Sequence, residues 1–129
     1  MGEVAYVLIV DDDIQLAEGT KLVLETAGHE VDMVHDTDQA AESIAQRRPD
    51  LIILDVMMRS EGEGFWFAQK LKNDSDLASI PVLMVTGASK ELGMKFDPDT
   101  DGDYLPVDDF LDKPVDPTVL LEKVANLLN

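Results

Sequence analysis

The stretch Pro49-Asp50-Leu51-Ile52-Ile53-Leu54-Asp55 constrains the fold of this chain more than any other. Four consecutive apolar residues, Leu51 to Leu54, leave no polar face to turn toward water. A run this short, rich in Ile and Leu and bounded by Pro49 and acids, reads as a strand covered on both faces, as in a parallel sheet. It ends in a carboxylate, Asp55. Ligands of open α/β sheets bind in the crevice outside the carboxyl ends of the strands. Asp55 is therefore either a reactive group or a residue that turns and caps the next loop, as most strand-end aspartates are. The run alone does not choose.

The rest of the chain supplies partners for such a strand. Val4 to Val10 is a second apolar, β-branched run, and it too ends in acids, Asp11, Asp12 and Asp13. Ile14 to Ala27 turns helical, with Leu16, Ala17, Leu22, Val23, Leu24 and Ala27 as its apolar face. Asp12 or Asp13 can cap its start and Gly28 its end. His29 to Val34 alternates and fits an edge strand. Thr37 to Arg48 is a second helix, with Ala40, Ala41, Ile44 and Ala45 inward, ended by Pro49. After a polar loop at Arg59–Gly64, Phe65 to Asn73 forms a third helix. Ile80 to Val85 is a fourth strand, ending at Thr86-Gly87. A weak helix follows from near Ala88, interrupted by Gly93. Val107 to Asp112 is a fifth strand. Asp116-Pro117 opens a last helix, with Val119, Leu120, Val124, Leu127 and Leu128 as its stripe. Strand and helix alternate throughout, which predicts an α/β fold, a doubly wound parallel sheet.

Composition narrows the function. At 129 residues the chain is one domain, read as a single unit over 1–129 with no output domain. Ten basic against 27 acidic residues give a net charge of −17, a field that repels nucleic acid and anionic lipid. Cysteine is absent, which excludes disulfides, thiol nucleophiles and thiolate metal sites. No apolar run approaches a membrane span, and Met1-Gly2-Glu3 lacks the basic start of a secretory signal, so a cytoplasmic protein is expected.

The strand ends carry the chemistry. In a parallel sheet Asp11, Asp12, Asp55 and Thr86 converge on one edge, with Lys113 directly after the fifth strand. Clustered carboxylates repel one another unless a cation sits among them, and an all-oxygen cluster suits Mg²⁺. A lysine and a hydroxyl opposite can hold a phosphoryl anion. An aspartate is also a competent nucleophile toward phosphorus. The parts spell Mg²⁺-assisted phosphoryl transfer to a carboxylate.

Four ordered motifs carry a resemblance that covers the whole chain: Val10-Asp11-Asp12, Leu54-Asp55-Val56-Met57-Met58, Val85-Thr86-Gly87, and Asp109-Phe110-Leu111-Asp112-Lys113-Pro114. Together they resemble the receiver domain of two-component response regulators. The resemblance, rather than the strand pattern, implies a flavodoxin-like, five-stranded parallel sheet of order 2-1-3-4-5 with five helices. It implies that Asp55 is the phosphoacceptor for a sensor histidine kinase or phosphotransfer protein. Asp11, Asp12 and Asp55, with the backbone carbonyl of Met57, match the Mg²⁺ ligands. Lys113 matches the lysine that pairs with the phosphoryl group, before a Lys113–Pro114 bond that is usually cis. Thr86 matches the hydroxyl that moves to the phosphoryl oxygen, and Phe110 the switch aromatic that turns into the space Thr86 leaves. That couples the site to the surface of the fourth helix, fifth strand and fifth helix, where a downstream protein target docks, as monomer or phosphorylation-dependent homodimer. Such a protein catalyses its own phosphorylation and dephosphorylation and is not a metabolic enzyme. Taken singly, Thr86 is an ordinary strand-end hydroxyl, Phe110 a core aromatic and Lys113 a solvated charge; their order and placement favour the functional reading.

Several features depart from the family pattern or lie outside it. Arg59 stands where the family has Pro, and Glu63-Gly64 falls one residue late for the usual Asp-Gly pair. Met57 and Ala88 are apolar where the family tunes hydrolysis, which predicts a long-lived phosphoryl group. Asp97, Asp99, Asp101, Gly102 and Asp108 imitate a calcium loop, but position twelve is not Glu and Pro106 intrudes. Residues 97–112 hold seven acids and no base, so an acidic recognition or solubilising surface is the better reading. Trp66 is open between exposure and partial burial, and His29 and His35 read as surface residues. The alternatives to a stand-alone receiver are one excised from a multidomain regulator or hybrid kinase, and a non-phosphorylated binding scaffold. An aspartyl phosphatase would need a second Asp just after Asp55, where Val56 and Met57 stand.

Overall fold

A computed structural model describes residues 4–55, 63–86, 107–112 and 115–128. In chain order the elements are β1 (Tyr6–Val10), α1 (Ile14–Thr26), β2 (Glu30–Val34), α2 (Thr37–Gln46), β3 (Leu51–Asp55), α3 (Glu63–Asn73), β4 (Val82–Thr86), β5 (Asp109–Asp112) and the C-terminal helix α4 (Pro117–Leu128). The strands form one five-stranded sheet of order β2-β1-β3-β4-β5, and every pair is parallel. The described helices number four, and the expected helix near Ala88 lies outside the described residues. α3 starts at Glu63, two residues before the expected Phe65.

β1 and β3 are buried along their whole length, as unbroken apolar runs require. Their side chains alternate between two layers. Leu8, Val10, Ile52 and Leu54 pack with Ala40 and Ile44 of α2 and Phe67, Ala68 and Leu71 of α3. Val7, Ile9, Leu51 and Ile53 pack with Ala17 and Leu24 of α1 and Leu120 and Val124 of α4. Each fully buried aliphatic chain contributes about 1.5–3 kcal/mol of transfer free energy. Truncating Ile52 to Ala at the sheet centre costs about 2–5 kcal/mol, because the sandwiched site cannot collapse. No described helix is long and apolar enough to cross a membrane.

Two helix faces are narrower than the sequence pattern indicates. α1 buries Ala17, Thr20 and Leu24, whereas Leu22 is 65% exposed. Leu22 stands two positions from both Thr20 and Leu24, about 200° around the helix from each, so it points to solvent. Thr20 takes the inward place because its hydroxyl donates to the Leu16 carbonyl at 3.1 Å and so arrives with its polar atom satisfied. On α2 the inward line is Ala40 and Ile44, while Ala41 and Ala45 are exposed rather than buried. A helix lying on a sheet buries one stripe, and these alanines fall about 100° beyond it.

The caps are those of the sequence reading. Asp13, not Asp12, accepts the Leu16 N–H at 3.2 Å to start α1. Gly28 stops it with φ 97°, a left-handed conformation that glycine adopts without steric cost. Asp116 accepts the N–H groups of Thr118 and Val119 at 2.8 and 3.3 Å to start α4. The structure adds Asp36, which accepts the Gln39 N–H at 2.7 Å and caps α2.

Candidate functional site

Parallel pairing brings the acidic strand ends to one edge. Val10 is level with Leu54, Asp55 with Val85, and Thr86 with Asp112. The residue that follows Val10, Asp11, therefore stands beside Asp55. Asp11 is 5% exposed and Asp55 2%, although most buried positions of the sheet are apolar. Asp12, one step further into the loop, is half-buried. One carboxylate oxygen from each of Asp11, Asp12 and Asp55 lies within 4.8 Å of the other two.

The backbone holds this cluster in place. The Asp11 N–H donates to the Val34 carbonyl at 3.1 Å, which extends the β1–β2 ladder one residue past the strand. Asp11 Oδ1 accepts the Asp13 N–H at 2.8 Å, turning the chain directly into α1. Asp13 thus serves the helix cap while Asp11 and Asp12 face the strand ends. The turn into α1 is thus fixed by two of the three acids, Asp11 on the Asp13 N–H and Asp13 on the Leu16 N–H.

The donor set is all oxygen, anionic and largely removed from water. Carboxylates are costly to bury unless charge or hydrogen bonding compensates them, and hard oxygen donors are what Mg²⁺ prefers. The residues present fit a hard divalent cation.

The remaining expected site residues divide between described and undescribed parts of the chain. Thr86 ends β4, beside the strand that ends in Asp55. Phe110 is half-buried on β5 and packs against the layer that contains Val82 and Met84. Lys113, Pro114, Met57, Arg59 and Ala88 lie outside the described residues. So do Asp97, Asp99, Asp101 and Gly102 of the calcium-like pattern. Its twelfth position, Asp108, is described, and its Oδ2 accepts both the Val82 N–H at 2.8 Å and the Lys72 ammonium at 3.0 Å. That carboxylate is committed to the start of β5, which tells against a calcium role.

The two histidines are half-buried rather than surface residues. His29 Nδ1 accepts the Ala5 N–H at 3.2 Å. His35 places Nδ1 3.3 Å from the Asp11 carbonyl oxygen and so borders the acidic cluster. The sequence signal for His35 was its position just past β2, the strand adjacent to β1; it became meaningful only once that pairing was known. Trp66 is 59% exposed, which resolves its placement in favour of solvent.

Known proteins share this architecture. A family model described as the response regulator receiver domain matches residues 7–125. The phosphate regulon transcriptional regulatory protein PhoB of Pseudomonas aeruginosa is 34% identical over 122 residues, covering 95% of this chain and 51% of that protein. The chain spans about half the length of the curated relatives it matches. Among solved structures, the chemotaxis response regulator CheY4 of Vibrio cholerae superposes with a TM-score of 0.80 at 30% identity, covering 98% of this chain and 100% of that one. The signal receiver domain of a signal transduction histidine kinase from Syntrophus aciditrophicus gives 0.79 at 34% identity, covering 97% and 90%.

Proposed function

The chain belongs to the response regulator receiver domain family, whose members accept a phosphoryl group on an aspartate, and from that premise we propose that the acceptor here is Asp55. The observation that carries this reading is the approach of one oxygen each from Asp11, Asp12 and Asp55 to within 4.8 Å at the carboxyl edge of the sheet.

In this reading an Asp55 oxygen attacks phosphorus. The new O–P bond forms as the donor's bond breaks: P–N for a phosphohistidine, P–O for an acyl phosphate. Receiver domains generally bind Mg²⁺ through acidic residues, and Asp11, Asp12 and Asp55, with the Met57 carbonyl, are the groups that would hold it here. Bound there, the cation offsets the negative charge of the carboxylates and the phosphoryl oxygens. Lys113 supplies a second positive charge and Thr86 a hydrogen-bond donor to the phosphoryl oxygens. Movement of Thr86 frees space for Phe110, which alters the face built from β5, the helix expected near Ala88 and α4. The donor is a histidine kinase or phosphotransfer protein, and the altered face recruits a downstream protein. All described strands belong to one sheet with helices on both sides, which supports reading residues 1–129 as one receiver unit.

Incubation with Mg²⁺ and acetyl phosphate tests the assignment. Intact mass of the wild type gains one phosphoryl group, and beryllofluoride changes the fluorescence of Trp66; Asp55→Ala does neither. The label persists well beyond seconds, as the apolar Met57 and Ala88 imply. No response from the wild type under saturating conditions would leave the protein a binding scaffold and sink the proposal.

A further inference from the structure

β1 and β2 leave the sheet in step. Val10 is level with Val34, so the residues that follow, Asp11 and His35, stand side by side beyond the last paired rung. Val34, the last residue of β2, and His35, the first beyond it, then grip one residue of the site between them. The Val34 carbonyl accepts the Asp11 N–H at 3.1 Å, and His35 Nδ1 lies 3.3 Å from the Asp11 carbonyl oxygen. A carbonyl oxygen only accepts, so this contact is a hydrogen bond when Nδ1 carries the ring hydrogen. His35 is anchored in turn. Its N–H donates to Gln39 Oε1 at 3.0 Å, and the Gln39 N–H donates to Asp36 Oδ1 at 2.7 Å at the start of α2.

The chain's other histidine makes the opposite contact. At the far edge of the sheet His29 Nδ1 accepts the Ala5 N–H at 3.2 Å, so its ring hydrogen sits on Nε2.

The Asp11 carbonyl belongs to the peptide plane that joins Asp11 to Asp12. Fixing that plane restricts ψ of Asp11 and φ of Asp12 together, and with them the directions in which both carboxylates leave the chain. Three carboxylates whose oxygens approach within 4.8 Å repel one another before a cation arrives. Their grouping therefore depends in part on the backbone beneath them.

We infer that His35 is a positioning residue for the cation site: its Nδ1–H holds the Asp11–Asp12 peptide so that both carboxylates stay grouped with Asp55. This rests on the reading of Asp11, Asp12 and Asp55 as the Mg²⁺ ligands. The imidazole acts through the backbone and is not itself a ligand. Groups that orient metal-binding carboxylates in this way set affinity without touching the ion.

Nitrogen-15 spectra of the full chain, which has only two histidines, and calorimetric titration with Mg²⁺ test the inference. The neutral rings show opposite tautomers, hydrogen on Nδ1 in His35 and on Nε2 in His29. His35→Leu keeps an apolar bulk without the donor and weakens Mg²⁺ binding about tenfold. His35→Asn places an amide NH2 where Nδ1 stood, at the same bond separation from Cβ, and recovers most of that loss. His29→Leu removes a hydrogen bond at the opposite edge; it lowers thermal stability and leaves Mg²⁺ affinity at the wild-type value. Hydrogen on Nε2 of His35, wild-type affinity in His35→Leu, equal loss in His35→Leu and His35→Asn, or equal loss in the two leucine variants each overturns the positioning role while the metal site stands. Absence of Mg²⁺ binding by the wild type overturns the metal-site reading itself, and this inference falls with it.

Discussion

Asp50 binds both backbone groups of Tyr6: its N–H donates to the Tyr6 carbonyl at 2.7 Å, and its Oδ2 accepts the Tyr6 N–H at 2.8 Å. Asp108 repeats the arrangement on Val82, with distances of 2.9 and 2.8 Å. Each aspartate immediately precedes or leads into one strand and closes the first rung against its neighbour, β3 on β1 and β5 on β4. The acids at the carboxyl edge, Asp11, Asp12 and Asp55, converge on one another, while these at the opposite edge set register.

Asp50→Ala leaves the Tyr6 N–H without its acceptor at a strand start and lowers stability by about 1–3 kcal/mol. Asp50→Asn keeps an oxygen acceptor and costs less. Urea denaturation distinguishes the two, and equal losses would show that charge, not the hydrogen bond, matters at this edge.

The two described glycines of the α1 hairpin respond in opposite directions. A Cβ added at Gly19 meets nothing within 4 Å, so Gly19→Ala in the middle of α1 raises stability by about 0.5–1 kcal/mol through helix propensity. Gly28→Ala also meets open space, but its φ of 97° costs a side chain about 1–2 kcal/mol. Thermal melts of both variants check the pair.

Alkaline pH weakens the fold through Tyr6. Burial, then the hydrogen bond its hydroxyl donates to Asp32 at 2.7 Å, holds its phenol above the ordinary value of 10.0. A pKa raised in the folded state stabilises fully below the unfolded value, and that contribution is lost as pH rises through the folded one. Stability therefore falls from about pH 10 upward. Phenolate absorbance of a Tyr104→Phe variant, which isolates Tyr6, titrates late. Asp32→Asn brings the transition down without restoring the ordinary value, because burial remains.

Mg²⁺ raises the melting temperature of the wild type. At about one hundred times its dissociation constant the gain is about 2.7 kcal/mol. Asp11→Asn and Asp12→Asn shift this response to higher Mg²⁺ concentrations. A rise of equal size at equal concentration in all three proteins would remove these carboxylates from the metal site.

The amino-acid sequence by itself determined the strands, the alternation with helices, and the acids that meet at one edge. Leu51 to Leu54 admits no solvent-facing side, and parallel strands necessarily share a carboxyl end, so Asp11, Asp12 and Asp55 converge once the runs are recognised. Strand order was legible only through family resemblance, since apolar runs do not say which strands are neighbours. Tertiary structure alone decided what depends on partners distant in the chain. Asp50 serves Tyr6 across 44 residues and Asp108 serves Val82 across 26, although in sequence both are simply acids before strands. Leu22, Ala41 and Ala45 fit an apolar period yet face solvent, because a helix on a sheet buries one stripe and periodicity cannot say how wide it is. The exposure of Trp66 and the nearness of His35 to Asp11 come from the same source: a side chain's surroundings are set by the elements packed against it, which local sequence does not contain.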